Sequence, residues 1–220
     1  MVLVFDLDDT LFDGMMYVYS GMHAVSLFLE KVLGLDQRVI YTELITELKK
    51  ERNLVFDRFL HKRGIYSKRL VKECLSVYRT HDPGIKLISG AKQCLKALKN
   101  FPLYIVTDGN QRVQRKKFLA LGLDSVIKKC LCTYAYGLKH SKPSTYCFEK
   151  ICREEKVKPN QVIYIGDNPL KDFVGIKSLG FHTVRVLTGP YKLLKVEPNY
   201  DAEKTILSLN ELPNLVKTIL

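Results

Sequence analysis

Val2-Leu3-Val4-Phe5-Asp6-Leu7-Asp8-Asp9-Thr10 is the stretch on which the reading of this chain turns. Its first four residues form an unbroken apolar run rich in β-branched and aromatic side chains, which reads as a strand buried on both faces. The run stops abruptly at a cluster of acids, so the strand empties into a polar site. Alternate side chains of an extended segment point the same way, and Asp6 and Asp8 therefore leave the strand end together, while Leu7 and Asp9 face elsewhere.

Outward from that strand the chain changes character twice. From about Met15 to Lys86 the periodicity is helical: Val25, Leu29 and Val32 share a face, as do Leu44 and Leu48, and Phe56, Phe59 and Leu60. After Pro83-Gly84 the pattern alternates, with helices expected at Ala91–Leu98, Gln111–Leu121, Ser144–Glu154 and Leu170–Leu179. Strands are expected at Leu103–Val106, Cys130–Thr133, Val162–Ile165 and His182–Val186. The tail turns at Thr188-Gly189-Pro190 and ends in helix-compatible Leu212–Leu220. Such alternation predicts an α/β fold, a Rossmann-like parallel sheet covered by helices on both faces. The helical stretch becomes an inserted all-helical domain: residues 1–14 and 87–220 form the core, and 15–86 the insertion.

The bulk properties bound the function. A chain of 220 residues, 46% hydrophobic, can bury a sizeable core. Its longest apolar runs are too short to cross a bilayer, and Asp6 follows too soon for residues 1–5 to be a secretory signal, so a cytoplasmic protein with no membrane role is expected. Cys74, Cys94, Cys130, Cys132, Cys147 and Cys152 include no C-x-x-C pair, which signals neither zinc nor a redox motif. The formal net charge of +12 favours anionic partners without choosing among them. The basic stretch running from Lys49 to Lys72 is interspersed with Glu51, Asp57 and Glu73 and reads as solvated helix faces, so nucleic acid is a disfavoured partner; Phe56, Phe59, Tyr66 and Tyr78 read as core of the helical block.

Ligands of open parallel sheets bind outside the carboxyl ends of the strands, and three strand ends carry polar chemistry: Asp6 to Thr10, Thr107-Asp108-Gly109-Asn110, and Gly166-Asp167-Asn168. Clustered carboxylates repel one another unless a cation sits among them, and an all-oxygen set without histidine or cysteine favours Mg²⁺. Thr107 adds a hydroxyl, and main-chain N–H groups near Gly109 at a helix start would seat an anion. Lys142, ahead of Pro143 and another helix, would supply a fixed positive charge, with Lys139 its competitor. Metal, hydroxyl, amides and lysine suit a phosphoryl group.

These four places, in this order, resemble the haloacid dehalogenase (HAD) superfamily: D-x-D-x-T at Asp6-Leu7-Asp8-Asp9-Thr10, then Thr107, then Lys142, then Gly166-Asp167 followed by Asp172. The helical insertion resembles the family's cap, whose movement closes the site and selects substrate. The resemblance implies that Asp6 is a nucleophile forming an aspartyl-phosphate and Asp8 its acid/base partner. It implies Mg²⁺ held by the Asp6 and Asp167 carboxylates and the Asp8 main-chain carbonyl, with Asp172 acting through water or behind the ligands. Thr107, Asp108, Gly109 and Lys142 would bind the substrate phosphate. Members that act as dehalogenases generally lack an acid at the position of Asp8, which leaves phosphoryl transfer as the expected chemistry. The expected substrate is a small-molecule phosphate monoester, a sugar phosphate or nucleotide. A phosphomutase remains open as an alternative, a receiver-like phospho-acceptor is disfavoured by the placement of the acid pair on the first strand, and the oligomeric state is not legible.

Overall fold

The computed structural model describes residues 1–219. The chain divides into two compact units, one of Met1–Gly14 with the chain from Ile85 onward, the other of Met15–Gly84. In chain order the elements are β1 (Val2–Phe5), α1 (Gly14–Leu33), α2 (Gln37–Lys50), α3 (Val55–Lys62) and α4 (Lys68–Thr80). Then come α5 (Ala91–Ala97), β2 (Leu103–Thr107), α6 (Gln111–Ala120), β3 (Lys129–Cys132), α7 (Tyr146–Glu155) and β4 (Val162–Gly166). The series ends with α8 (Val174–Lys177), β5 (His182–Val186), β6 (Lys204–Ile206) and α9 (Leu212–Ile219).

The six strands form one parallel sheet in the order β3-β2-β1-β4-β5-β6. The first strand in sequence is therefore interior, with Phe5 level with Ile105 of β2 on one side and Ile165 of β4 on the other. Connections run outward from β1 in opposite directions, which opens a crevice at the carboxyl ends of β1 and its neighbours. Asp6 is anchored there by its amide, which donates to the Ile165 carbonyl at 2.8 Å.

The absence of alternation in β1 has its physical reason in the two faces of the sheet. Val2, Val4, Tyr104, Val106, Val162 and Tyr164 pack with Phe148, Ile151, Phe173 and Phe181. Leu3, Phe5, Ile105, Ile163 and Ile165, of opposite parity, are just as fully buried. Each such side chain contributes roughly 1.5–3 kcal/mol of transfer free energy on burial, so a polar residue on either face of β1 would be costly. The polar residues begin only where the sheet ends.

Two elements differ from the sequence reading. The helix expected over Leu170–Leu179 is only Val174–Lys177. The residues before it form a turn: the Asn168 carboxamide accepts from Leu170 N at 3.0 Å, and the Asp172 carboxylate accepts from Asn168 N at 2.9 Å. Asn and Asp side chains that bond local backbone compete with helix formation in this way. The sheet also gains β6, a three-residue edge strand pairing Val184 with Lys204 and Val186 with Ile206, where no strand was expected.

The helical unit, α1 to α4, has its own core of Val18, Met22, Val25, Leu29, Ile40, Leu44, Leu48, Val55, Phe56, Phe59, Leu60, Val71 and Cys74. Val32, expected on the inner face of α1, is 50% exposed, and Tyr66 stacks on the His61 ring at 3.8 Å near the surface instead of joining the core. Part of the basic stretch is accounted for by local pairing. Arg63 meets Glu43, Arg69 meets Glu73, and Lys50 and Arg58 both meet the buried Glu47. Arg58 also donates to the Glu47 carbonyl at 2.8 Å, which the Glu51 amide already reaches, and at 2.6 Å to the Glu51 carbonyl, an acceptor that the C-terminus of α2 would otherwise leave open.

Candidate active site

Asp6 stands one residue beyond β1, buried, and Lys142 reaches its Oδ1 at 2.7 Å. The same ammonium lies 2.7 Å from Asp172 Oδ1 and 2.9 Å from the Tyr164 hydroxyl, which itself donates to Asp172 Oδ1 at 3.1 Å. Lys142 thus spends its three N–H donors on two carboxylates and one phenol. Its competitor Lys139 is exposed. Asp167, following β4, completes the group: Asp6, Asp167 and Asp172 each offer an oxygen, and these lie within 4.8 Å of one another. The Thr10 hydroxyl donates to Asp167 Oδ1 at 3.3 Å, giving the threonine of the first motif a supporting contact that its position in the sequence did not specify.

Gly166 has a steric reason for being glycine. A Cβ there would lie 2.5 Å from Asp172 Oδ2, inside the distance any real contact tolerates.

The charges do not balance within this group. Three carboxylates against one ammonium leave two negative charges, in a site where all four side chains are buried. The strain is visible in the titration of the acids. Burial, with Lys142 opposing and Asp172 reinforcing, pushes Asp6 up to about 6. Burial, together with the charges of Asp6, Asp172 and Asp9, pushes Asp167 up to about 8. Lys142 moves the other way: burial disfavours its charge, but Asp172 and Asp6 outweigh that and hold it protonated well above the usual lysine range. An oxygen-only donor set with a surplus of two negative charges fits a hard divalent cation such as Mg²⁺.

A second group stands beside the first. Asp8 is clamped through both oxygens, Oδ1 by Lys117 Nζ at 2.6 Å and Oδ2 by Gln114 Nε2 at 2.7 Å. Gln114 Nε2 also donates to Thr107 Oγ1 at 2.6 Å. Both Gln114 and Lys117 come from α6, on neighbouring turns of one face. Neither was singled out from the sequence; the only signal available was their i, i+3 spacing after the second motif.

The Asp108 side chain braces the loops around the site. Its carboxylate accepts from Thr133 Oγ1 at 2.7 Å, from Lys142 N at 3.1 Å and from Lys171 Nζ at 3.1 Å, tying the loop after β2 to the segments carrying Lys142 and Asp172. Burial raises its pKa, but Lys142 and Lys171 more than offset this and hold it below the ordinary carboxylate range. Gly109 has φ of +129°, a conformation open to glycine, and its carbonyl accepts from Cys132 Sγ at 2.9 Å. At the start of α6 the Asn110 side chain accepts from Arg112 N and Val113 N at 3.1 and 3.3 Å. Lys171, partly exposed beside this cluster, is a further cation that the sequence reading passed over.

Comparison with known proteins follows the same lines. The model of the haloacid dehalogenase-like hydrolase family matches residues 1–180. The chain therefore belongs to that family. It is 29% identical to the glyceraldehyde 3-phosphate phosphatase of Pyrococcus furiosus over 99% of this chain and 92% of that protein. It is 27% identical to the glyceraldehyde 3-phosphate phosphatase of Methanocaldococcus jannaschii over 99% of this chain and 97% of that protein. Among solved structures, a 2-haloacid dehalogenase of Pseudomonas syringae superposes with a TM-score of 0.70 at 20% identity, covering 100% of both chains. The HAD-hydrolase YfnB of Bacillus subtilis, bound to magnesium, superposes with a TM-score of 0.68 at 21% identity, covering 98% of this chain and 97% of that one. These structural likenesses establish the α/β fold read from the sequence. Among the described residues no helix is long and apolar enough to cross a membrane.

Proposed function

We propose that this chain is a magnesium-dependent phosphatase that hydrolyses a small sugar phosphate, of the kind glyceraldehyde 3-phosphate represents, through an aspartyl-phosphate on Asp6. The observation that carries the reading is the buried Asp6, held by Lys142 beside Asp167 and Asp172 with two negative charges in surplus. Support for the substrate class comes from the phosphatase relatives that align over 99% of this chain.

In this reading an Asp6 oxygen attacks phosphorus, the ester P–O bond breaks, and Asp8 gives its proton to the departing alkoxide. Water then attacks the aspartyl-phosphate and passes a proton to Asp8. The P–O bond to Asp6 breaks, releasing phosphate and restoring the carboxylate. Lys142 keeps Asp6 ionised and oriented, and Thr107 donates to an equatorial phosphoryl oxygen. Asp6 and Asp167, with the Asp8 carbonyl, would hold Mg²⁺, and Asp172 would steady Lys142 behind them; the ion when bound offsets charge on the carboxylates and the phosphoryl oxygens. Residues 15–86 are assigned the substrate-selecting role of a cap.

The test is hydrolysis of p-nitrophenyl phosphate with and without Mg²⁺ by wild type and Asp6→Asn, followed by a panel of triose, hexose and nucleoside phosphates. Metal-dependent turnover lost in Asp6→Asn, with a preference for a triose phosphate, is the expected result. Turnover that survives the substitution would defeat the mechanism.

A further inference from the structure

Asp8 has to move a proton in each half of the reaction proposed above, yet both of its oxygens are held by side chains of α6. The orientation of Gln114 follows from chemistry: in the form that takes a proton from water Asp8 is a carboxylate, which only accepts, so the amide nitrogen faces it. Its two hydrogens are then both used, one on Asp8 Oδ2 at 2.7 Å and one on Thr107 Oγ1 at 2.6 Å. A hydroxyl that accepts from Gln114 keeps its own hydrogen for another acceptor, and the acceptor in the reaction is a phosphoryl oxygen. Gln114 therefore ties the orientation of the phosphate-binding hydroxyl to that of the proton-transfer carboxylate. Gln114 is 2% exposed, so water competes little for its hydrogens.

Lys117 fixes the other oxygen at 2.6 Å, with its side chain 9% exposed against 31% for Asp8. Its ammonium lies 5.7 Å from the centre of the Phe12 ring. The cation is thus the fixed partner and the acid the more exposed one. A carboxylate held at both oxygens by rigid donors from one helix has its plane defined before substrate arrives, which is the condition for efficient proton transfer.

We propose that Gln114 and Lys117 are positioning residues that hold the plane of the Asp8 carboxylate and couple it, through Gln114, to the Thr107 hydroxyl. The inference rests on the phosphatase reading. For Lys117 it predicts a loss confined to steps in which Asp8 handles a proton, and for Gln114 an added loss in phosphoryl transfer through Thr107. Formation of the aspartyl-phosphate from p-nitrophenyl phosphate needs little acid help, because p-nitrophenolate leaves unprotonated. Hydrolysis of the aspartyl-phosphate needs Asp8 to take a proton from water, whichever ester was used.

The experiment is stopped-flow release of p-nitrophenol by wild type, Gln114→Met, Lys117→Met and Lys117→Arg, with steady-state hydrolysis of glyceraldehyde 3-phosphate alongside. In Lys117→Met the rate constant of the first turnover should stay within about threefold of wild type while kcat falls on the order of 10²-fold, and Gln114→Met, which also releases Thr107, should lower both. The arginine variant, which keeps a charged donor, should recover most of the loss. A structural defect would lower the first turnover and kcat together. That result in Lys117→Met, or kcat within about threefold of wild type in both methionine variants, would overturn the positioning role. Wild type without any Asp6-dependent turnover would overturn the phosphatase reading and the positioning role with it.

Discussion

The ammonium of Lys142 lies 2.7 Å from Oδ1 of Asp6 and, at the same distance, from Oδ1 of Asp172, so one fully buried cation serves two acids. Removing one partner of a buried ion pair strands the other, at a typical cost of about 3–5 kcal/mol. Lys142→Met should therefore lower the unfolding free energy of the metal-free protein, read from its urea midpoint and slope, by an amount in that range and abolish phosphatase turnover. A change in turnover with no change in midpoint would mean that Lys142 acts on substrate alone.

Magnesium binding should be coupled to proton release. Asp167 is pushed up to about 8 and Asp6 to about 6 in the metal-free protein, and the ion needs both as carboxylates. Below about pH 8 each bound ion must displace a proton from Asp167, and below about pH 6 a second from Asp6. Apparent affinity should thus rise about tenfold per pH unit between those values and level off above pH 8. Titration calorimetry in buffers of different ionisation enthalpy reads the released proton directly, and a pH-independent affinity would contradict the charge surplus.

The same shift fixes a stability effect. A carboxyl whose folded pKa is raised stabilises the fold fully only below its unfolded value near 3.8, and that contribution is lost as pH rises through about 8. At pH 8 without metal, Asp167→Asn should therefore unfold at a higher temperature than wild type. Adding Mg²⁺ should reverse the order, because only the wild type retains the full ligand set. Thermal melts with EDTA and with Mg²⁺ would show the crossing.

Gly166→Ala places a Cβ 2.5 Å from Asp172 Oδ2 and 2.8 Å from its Cγ. Overpacking of this kind costs about 1–3 kcal/mol, and here it also pushes Asp172 off Lys142, so activity should fall with stability. Gly84→Ala, whose new Cβ would meet only Ser20 Oγ at 3.6 Å, is the tolerated control.

In the helical unit, Arg58→Met should take its donor from the Glu51 carbonyl and leave the Glu47 carboxylate to Lys50 alone. Hydrogen exchange should quicken at the amides of the last turn of α2 while the amides of β1 and β4 keep their protection.

What the sequence by itself determined is what is local. A doubly covered strand needs an uninterrupted apolar run, and Val2–Phe5 is one; the acids after it mark where the sheet ends. The same logic located Thr107 and Asp167, because each directly follows or closes an apolar strand, and Lys142 by its place ahead of Pro143 and α7. What only the tertiary structure decided is the side-chain traffic between those points. Gln114 and Lys117 lie 106 and 109 residues from Asp8, and nothing in their own spacing says which face of α6 turns toward β1. Asp108 follows a strand as Asp167 does, yet Lys171 and Thr133 turn it into a brace between loops. The strand β6 is three residues long and acquires its structure from pairing with β5, about twenty residues earlier in the chain, so its own composition carried no sign of it. Periodicity and punctuation are properties of neighbours in the chain, whereas partners for a buried charge are chosen by packing that joins distant segments.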